Sequence, residues 1–505
     1  MATGKSTVGK LVAAELGLPF VDTDALIAAD AGAPVGEVFA KEGEPRFRDR
    51  EAALVSDLLG DGVPRVISFG GGTVTIPRIR HAALEAATVV TLTASAEAIV
   101  SRASTLSERP NLVGRSPVER ARDLLALRHE AYGECHASIA TEGLSPEAIA
   151  ARIVAISRRD LLAMPLGSRS YAVELVEGAP ARLTEIVQDL APSGVLVVTD
   201  SNVRAARGAW LAAALEPIEV PIHVVELAPG EEHKTIATVS RIWDEALERG
   251  FDRRALVLAF GGGVVGDLAG FAASTLLRGV RCVQIPTTLL SMVDSSVGGK
   301  TGFDHPQGKN LIGAFFQPSH VLVDLEQLVT LPDRQRAAGY AEIVKIAFAC
   351  DAPLLRMLES GAPLRDLVRA SILAKIRVVR DDERESGRRA LLNLGHTVGH
   401  ALEAAGGYAR WLHGEAVAIG TVLELEAGER LGFTPRGTAK RAEALLARFG
   451  LPTRVSRDEV IAAWPYTQSD KKRTASKVAL PVVVADGDGR VESLALDTLR
   501  DALTT

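Results

Sequence analysis

Cysteine is scarce in this sequence, because its 505 residues include only Cys135, Cys282 and Cys350, which lie far apart. This number excludes a disulfide framework and a metal site built from cysteine alone, and it is typical of a reducing compartment. An excess of positive charge is also missing, since 57 lysines and arginines stand against 63 aspartates and glutamates. The chain therefore lacks the basic field that would hold a nucleic-acid backbone.

Long apolar segments and an apolar leader are missing as well. The most apolar stretch, 255–277, contains Asp267 and five glycines, so its composition is not that of a membrane-spanning helix. The first residues carry none of the charged-then-apolar pattern of an export signal. We therefore expect a cytoplasmic chain without a membrane or nucleic-acid partner, with a length that corresponds to about three globular domains.

The first residues form the second half of a phosphate-binding loop. Gly4 allows close backbone approach to a phosphate, Lys5 suits the terminal phosphates, and Ser6 supplies a hydroxyl for Mg²⁺. A helix that begins at Thr7 would direct its N-terminus toward the same phosphates. The alternative is an ordinary helix start capped by Ser6. Because the usual preceding strand and first glycine are missing, we expect the natural reading frame to begin upstream of Met1.

Short apolar strands alternate with helical segments and polar turns over residues 1–156, which predicts a parallel doubly wound sheet. The turns carry Asp22 and Asp24, the segment Phe47-Arg48-Asp-Arg-Glu51, three glycines at 70–72 and the pair Arg109-Pro110. In this order the motifs resemble those of shikimate kinase.

This resemblance implies a P-loop kinase-like domain that transfers a phosphate from ATP to shikimate. ATP would be bound by Gly4, Lys5, Ser6, Thr7 and a lid arginine, Arg109, with Lys5 taking part in catalysis. Mg²⁺ would be held by Ser6 and Asp22. Shikimate would be bound by Asp24, Arg48, Gly71 and Arg128, with Asp24 as the candidate base.

A charged segment with proline and glycine, 157–168, is typical of a linker, and a second series of strands follows it. The strand 255–260 runs into Gly261–Gly266, which fits the G-x-G-x-x-G pattern of a dinucleotide-binding turn. The next strand, 281–285, offers no acidic residue for a ribose hydroxyl. Close packing of a helix on a strand therefore explains these glycines equally well.

Polar groups are concentrated between Val293 and Asn310, where Asp294, Lys300 and Lys309 lie among several glycines. A core segment rarely includes so many polar and flexible positions without a ligand to bind. The two lysines predict an anionic substrate.

Three of the ten histidines, His396, His400 and His413, lie close together in the last third of the chain. His396 and His400 are four residues apart and would share one face of a helix. Glu342 supplies a carboxylate within an apolar helix, and with two of the histidines it would form a metal site with an open position. The residues alone leave open which histidines bind, and a helix cap with surface histidines is the alternative without a metal.

The glycine turn, Asp294-Ser-Ser-Val-Gly-Gly-Lys-Thr301 and Gly395-His-Thr-Val-Gly-His400 together resemble 3-dehydroquinate synthase. The resemblance implies an α/β NAD-binding domain at 169–330 and an all-helical domain at 331–505 that binds metal and substrate. Zn²⁺ or Co²⁺ would be held by Glu342, His396 and His413, and the enzyme would be a homodimer.

Further site residues follow from the same resemblance. NAD would contact Asp200, Asn202, Glu231, Lys234, Gly263, Val264, Val265, Gly266, Asp267, Thr287, Thr288, Lys300, Lys309, Gln327, Leu328, Val329 and Thr330. The substrate would contact Arg278, Asp294, Lys300, Lys309, Asn310, Lys375, Arg389, Asn393 and His400, and the pair Lys471-Lys472 would reach in from the C-terminal segment. The catalytic groups would be Lys300, Lys345, Arg389 and His400.

Together the two resemblances imply that the chain is a fusion of two enzymes of the shikimate pathway. One part would convert 3-deoxy-arabino-heptulosonate 7-phosphate to 3-dehydroquinate and phosphate, with catalytic NAD and a divalent metal, and the other would phosphorylate shikimate. The alternatives are a related sugar-phosphate cyclase or a metal-dependent polyol dehydrogenase, with a non-catalytic kinase-like appendage.

Overall fold

The computed structural model describes residues 2–102, 116–469, 473–474 and 477–504. It divides into two compact units, Met1–Glu174 and Leu175–Thr505. The segment 157–168, predicted as a linker, contains a strand at Asp160–Met164. No helix within the described ranges is long and apolar enough to cross a bilayer.

Helices and short strands alternate along the first unit, and serine side chains cap two of the helices, Ser116 before α7 and Ser145 before α8. Its described elements are α1 (Lys5–Leu16), β1 (Phe20–Asp22), α2 (Thr23–Ala31), α3 (Val35–Glu42), α4 (Glu44–Gly60), β2 (Val66–Ser68), α5 (Pro77–Ala86), β3 (Val90–Thr93), α6 (Ala96–Arg102), α7 (Pro117–Gly133), β4 (Ala137–Ala140), α8 (Pro146–Ser157) and β5 (Asp160–Met164). The next strand, β6 (Tyr171–Val176), contains the division between the units.

The first four strands pair in parallel, as predicted, but they form two separate two-stranded sheets. β1 pairs with β2, with Phe20 opposite Val66, and β3 pairs with β4, with Val90 opposite Ala137. Both pairs pack against one apolar cluster formed by α1 and α8. The helices therefore connect the two sheets.

The second unit begins with a regular alternation of strands and helices. Its elements up to the last strand of the alternation are α9 (Pro180–Leu190), β7 (Val195–Asp200), α10 (Ser201–Leu215), β8 (Ile222–Leu227), α11 (Ile236–Glu248), β9 (Leu256–Gly261), α12 (Gly263–Thr275), β10 (Arg281–Pro286), β11 (Lys300–His305), β12 (Gly308–Phe315) and β13 (His320–Asp324). The strands β11 and β12 form an antiparallel hairpin.

Five of these strands lie side by side in the order β13-β10-β9-β7-β8, and all of them run parallel. The strand β9 is buried over its whole length because its side chains alternate between two cores. Leu256, Leu258 and Phe260 enter one core, and Val257 and Ala259 enter the other. The carboxyl ends of the five strands consequently meet at one edge, where open α/β sheets bind ligands.

The rest of the second unit is mainly helical, as predicted, but it is not all-helical. Its elements are α13 (Asp333–Cys350), α14 (Ala352–Ser360), α15 (Leu364–Asp381), α16 (His396–Ala405), α17 (His413–Arg430), α18 (Thr438–Arg448), α19 (Arg457–Ala463), β14 (Arg473–Thr474), β15 (Lys477–Ala485), β16 (Asp488–Ala495) and α20 (Leu496–Thr504). The prediction of an all-helical domain is wrong because the valine-rich β15 pairs with β16 and buries Val478, Leu480 and Val482 against α16 and α17.

Candidate active sites

The residues predicted to form a phosphate loop lead into a helix that begins at Lys5, two residues before the predicted Thr7. Gly4 has φ +85, a left-handed conformation that favours glycine, and α1 begins at the next residue, Lys5. The Ser6 hydroxyl donates to Asp22 Oδ2 at 2.6 Å. A hydroxyl beside a carboxylate offers the oxygen ligands that Mg²⁺ prefers, so Ser6 and Asp22 fit the ion.

Asp24 lies in a crowded acidic environment beside the glycine bend. A Cβ atom on Gly70 would come within 2.6 Å of both Asp24 Oδ1 and Glu51 Oε1, so any other residue there would push these carboxylates aside. Burial, together with the nearby charges of Asp22 and Glu51, raises the pKa of Asp24, and Lys5 opposes this shift. A carboxylate with a raised pKa suits a candidate base.

Three groups predicted to bind shikimate meet at the same bend. Arg128 Nη1 donates to the carbonyl of Gly71 at 2.9 Å, and the Tyr132 hydroxyl donates to the same carbonyl at 2.6 Å. The guanidinium of Arg48 lies against Gly72, where a Cβ would come within 2.2 Å of it. The predicted lid arginine, Arg109, lies outside the described residues.

The predicted nucleotide site of the second unit lies at the carboxyl edge of the sheet. The helix α12 starts directly after β9, and the carboxylate of Asp200 accepts a hydrogen bond from the backbone of Val203 at the start of α10. A Cβ on Gly266 would come within 2.9 Å of Gln284, so this glycine also serves close helix–strand packing. Close helix–strand packing therefore accounts for Gly266, and nucleotide binding at this turn stays a prediction.

A charged cluster adjoins this edge. Lys234 is buried, its Nζ lies 2.7 Å from Asp267 Oδ2, and it donates to Asn310 Oδ1 at 2.5 Å. Burial alone would lower the pKa of Lys234, but Asp267 and Glu231 outweigh burial and raise it to about 12. Glu231, Lys234, Asp267 and Asn310 are thus brought together as predicted.

The predicted substrate groups converge from both parts of the second unit. Lys375 of α15 donates to Asp294 Oδ1 at 2.5 Å, and Arg389 Nη2 donates to the carbonyl of Gly298 at 2.9 Å. Burial lowers the pKa of Lys375 to about 8, although Asp294 opposes this shift. Lys300 Nζ lies 2.6 Å from Glu385 Oε2.

Close helix packing positions the predicted metal ligands. A Cβ on Gly414 would come within 2.0 Å of the carbonyl of Ala338, so α13 and α17 touch through backbone. A Cβ on Gly420 would come equally close to the carbonyl of Gly395, which brings α17 against the start of α16. These glycines allow Glu342, His396 and His413 to meet.

The distances between Glu342 and the two histidines are those of a metal site. Glu342 Oε1 lies 3.8 Å from His396 Nε2 and 3.7 Å from His413 Nε2. This oxygen is buried and accepts no hydrogen bond from the described residues, while Glu342 Oε2 accepts one from Lys345. Ligand atoms of a tetrahedral zinc site lie about 3.4 Å apart, so two imidazoles and one carboxylate fit a divalent ion.

The fourth group, His400, lies beside this pocket. The ligand atoms of His396, His400 and His413 all lie within 4.8 Å of one another. The structure therefore offers two donor sets that share His396 and His413, and they differ in whether Glu342 or His400 completes the set.

One predicted substrate residue, Arg278, is not brought to the edge of the sheet where the other predicted groups lie. Arg278 precedes β10, whereas Thr287, Thr288 and Asp294 follow it, and a six-residue strand is about 20 Å long. Arg278 therefore lies at the opposite edge of the sheet. Lys471 and Lys472 lie outside the described residues.

Sequence reasoning missed three residues that contact the predicted sites: Tyr132, Glu385 and Glu403. Asn393 Nδ2 donates to Glu385 Oε1 at 2.6 Å, so Glu385 bridges two predicted substrate groups, Lys300 and Asn393. Glu403 Oε2 lies 3.1 Å from His413 Nδ1. The sequence spacing could have indicated Glu403, because this residue follows His400 by three positions and lies on the same face of the helix.

Three family models match the chain in order. Shikimate kinase matches residues 1–157, the 3-dehydroquinate synthase N-terminal model matches 224–338, and the 3-dehydroquinate synthase C-terminal model matches 339–473. A 3-dehydroquinate synthase of Azotobacter vinelandii is 48% identical over 300 residues, which are 58% of this chain and 81% of that protein. Another from Teredinibacter turnerae is 45% identical over 301 residues, 58% of this chain and 83% of that protein.

Two solved structures resemble the second unit. A 2-epi-5-epi-valiolone synthase from Streptomyces hygroscopicus subsp. jinggangensis 5008, with NAD⁺ and Zn²⁺ bound, has a TM-score of 0.58 and 29% identity, over 66% of this chain and 95% of its own. A 2-deoxy-scyllo-inosose synthase, complexed with carbaglucose-6-phosphate, NAD⁺ and Co²⁺, has a TM-score of 0.61 and 23% identity, over 68% of this chain and 99% of its own, which shows a shared fold.

The second unit therefore belongs to the fold class that these two synthases share. Within that class the chain belongs to the 3-dehydroquinate synthase family, and its residues 1–157 are a shikimate kinase domain. Both family predictions are confirmed, and the chain is an enzyme of the shikimate pathway with a lyase part and a phosphotransferase part.

Proposed function

We propose that the cleft of the second unit binds 3-deoxy-arabino-heptulosonate 7-phosphate and releases 3-dehydroquinate and phosphate. The observation that carries this proposal is the buried Glu342 Oε1, which faces the Nε2 atoms of His396 and His413 and has no hydrogen-bond donor among the described residues. When bound, NAD and a divalent metal would supply reversible oxidation of a secondary alcohol and polarisation of its oxygen.

The chain's own residues bind and orient the substrate. Lys300, Lys309, Lys375 and Arg389 supply the positive charge that a phosphate and a carboxylate require, and Asn393 adds an amide. Lys345 is held against Glu342, and carboxylates outweigh burial so that the pKa of Lys345 is raised. The remaining predicted catalytic group, His400, is close enough to the metal ligands to act on a substrate held there.

Zn²⁺ or Co²⁺ fits the second unit because imidazole and carboxylate ligands suit both ions. The solved relatives support this choice, since one contains NAD⁺ with Zn²⁺ and the other contains NAD⁺ with Co²⁺. We assign Glu342, His396 and His413 as the ligands, because Glu342 Oε1 otherwise remains buried without a partner.

For the first unit we propose transfer of the terminal phosphate of ATP to shikimate, with Mg²⁺ at Ser6 and Asp22. Lys5 stabilises the phosphates, Arg48 and Arg128 bind the shikimate carboxylate, and Asp24 is placed to accept the hydroxyl proton. The meeting of Arg48, Gly71 and Arg128 at one bend supports this assignment.

We further propose a cytoplasmic homodimer with the kinase domain at 1–156, the NAD domain at 169–330 and the metal domain at 331–505. The position of Arg278 supports the dimer. A residue at the far edge of the sheet reaches a substrate only when a second copy of the chain presents it.

Two assays with the full-length chain test these functions. With the heptulosonate phosphate and trace NAD⁺, we expect equal amounts of phosphate and 3-dehydroquinate and no accumulation of NADH. Net NADH formation without phosphate release would instead indicate a polyol dehydrogenase. With MgATP, we expect ADP formation that depends on shikimate, and its absence would indicate a non-catalytic appendage.

A further inference from the structure

Glu403 lies on α16 beside the metal pocket, and no step of the proposed reactions uses it. Its side chain is 2% exposed, so its charge has to be compensated by neighbouring groups. One oxygen, Oε1, accepts a hydrogen bond from Lys309 Nζ at 3.0 Å, and the other, Oε2, lies 3.1 Å from His413 Nδ1. The carboxylate is therefore shared between a lysine of the β11–β12 hairpin and a histidine of α17.

The contact with His413 determines which ring nitrogen faces the pocket. A carboxylate at Nδ1 favours the tautomer that carries its proton there, and this leaves the Nε2 lone pair directed at Glu342 Oε1. His396 is held in the same way, because its Nδ1 lies 3.2 Å from the carbonyl of Leu394. Each proposed histidine ligand thus has an oxygen partner on the nitrogen that points away from the pocket.

We propose that Glu403 is a positioning residue that holds His413 in the orientation and tautomer needed to bind a divalent metal. This inference rests on the metal site of the proposed function. In metal proteins, partners of this kind also increase the basicity of the ligand, and their loss typically weakens metal binding about 10- to 100-fold.

The contact with Lys309 supplies a matched control. Glu403→Ala removes the ion pair with Lys309 and the contact with His413 together. Lys309→Met removes the same ion pair, together with a 3.5 Å pair between Lys309 and Glu231, and it leaves the contact with His413 in place. A difference between the two variants therefore isolates the action of Glu403 on His413 from a general loosening of the cleft.

The experiment measures the Co²⁺ dissociation constant of the full-length chain by competition with a chromophoric chelator, and it follows the visible spectrum of bound Co²⁺. We expect Glu403→Ala to weaken Co²⁺ binding about 10- to 100-fold and to alter the spectrum. Glu403→Gln keeps an acceptor oxygen without the charge, so its loss is smaller, about 3- to 10-fold. Lys309→Met stays within about twofold of the unmodified chain, since the His413 contact remains.

Two results would overturn the inference: Co²⁺ binding by Glu403→Ala within twofold of the unmodified chain, or an equal loss in Lys309→Met. Should Glu403→Ala fail to fold, Glu403→Gln decides, and an unchanged dissociation constant for this variant overturns the inference. Failure of the metal site itself gives a different result, because the unmodified chain and His413→Ala would then bind Co²⁺ equally weakly.

Discussion

The two units support their sites in different ways. In the second unit, five parallel strands lie side by side, and the six residues of β9 are all buried between two cores. In the first unit, β1 and β2 have three residues each, and the strands β1 to β4 pair two by two. The candidate site of the second unit thus lies along a continuous sheet edge. The candidate site of the first unit is held by helices and by side-chain hydrogen bonds, such as those from Arg128 and Tyr132 to Gly71.

This difference determines how far the loss of one side chain disturbs the other residues of each site. A buried parallel sheet fixes the positions of all its carboxyl ends together, so loss of one side chain leaves the others in place. Short paired strands bury less apolar surface, so the proposed shikimate site depends more on individual polar contacts. We therefore expect the two catalytic parts to respond separately to mutation, heat and pH.

The largest effect is expected for His413→Ala. Removing one of the three proposed metal ligands should abolish metal retention and lower synthase turnover at least about 1,000-fold, because the proposed chemistry needs the bound ion. Metal analysis after dialysis and a phosphate-release assay measure both losses. Shikimate-dependent ADP formation by the same variant should stay unchanged, and full metal occupancy would contradict the ligand assignment.

A smaller loss is expected for Arg128→Ala in the first unit. The guanidinium of Arg128 is buried and its charged hydrogen bond to the Gly71 carbonyl stabilises the bend, so kcat/KM for shikimate should fall about 10- to 100-fold. Arg122→Ala on the exposed face of the same helix is the control. Equal kinetics of the two variants would show that the bend does not form the shikimate site.

The two units should also differ in thermal stability, and this effect is smaller than the kinetic effects above. We expect kinase activity to be lost about 5 °C or more below synthase activity, with two transitions in calorimetry. Val8→Ala in α1 and Val257→Ala in β9 truncate valines that are 2% and 0% exposed, each at a cost of about 1–3 kcal/mol. Val8→Ala should lower the midpoint temperature of the kinase transition alone. Val257→Ala should lower the midpoint temperature of the synthase transition alone. A single cooperative transition that both variants shift would refute the separation.

The sequence predicted the elements and site residues that depend on local signals. The strand before the glycine turn and the start of α1 at the phosphate loop both follow from short motifs. The expectation that Glu342 meets His396 and His413 came from the resemblance, and the structure places these side chains together. The partners of these residues depend on how helices far apart in sequence pack, and this kept Glu385 and Glu403 from being predicted. The close glycine contacts of α13, α16 and α17 let these helices approach, and the side-chain distances in the structure show which carboxylate meets which histidine.

The smallest expected effect is a pH dependence that only the synthase part should show. Burial lowers the pKa of Lys375 from its usual 10.5 to about 8, so the folded chain holds fewer protons than the unfolded chain between these values. Stability contributed by this group therefore rises with pH through that window, while substrate binding weakens because Lys375 loses its charge. KM for the heptulosonate phosphate should increase a few-fold above about pH 8, and Lys375→Met should remove this increase. KM for shikimate, measured over the same range, should lack that increase, and a parallel rise in both constants would assign it to the buffer or the substrates instead of Lys375.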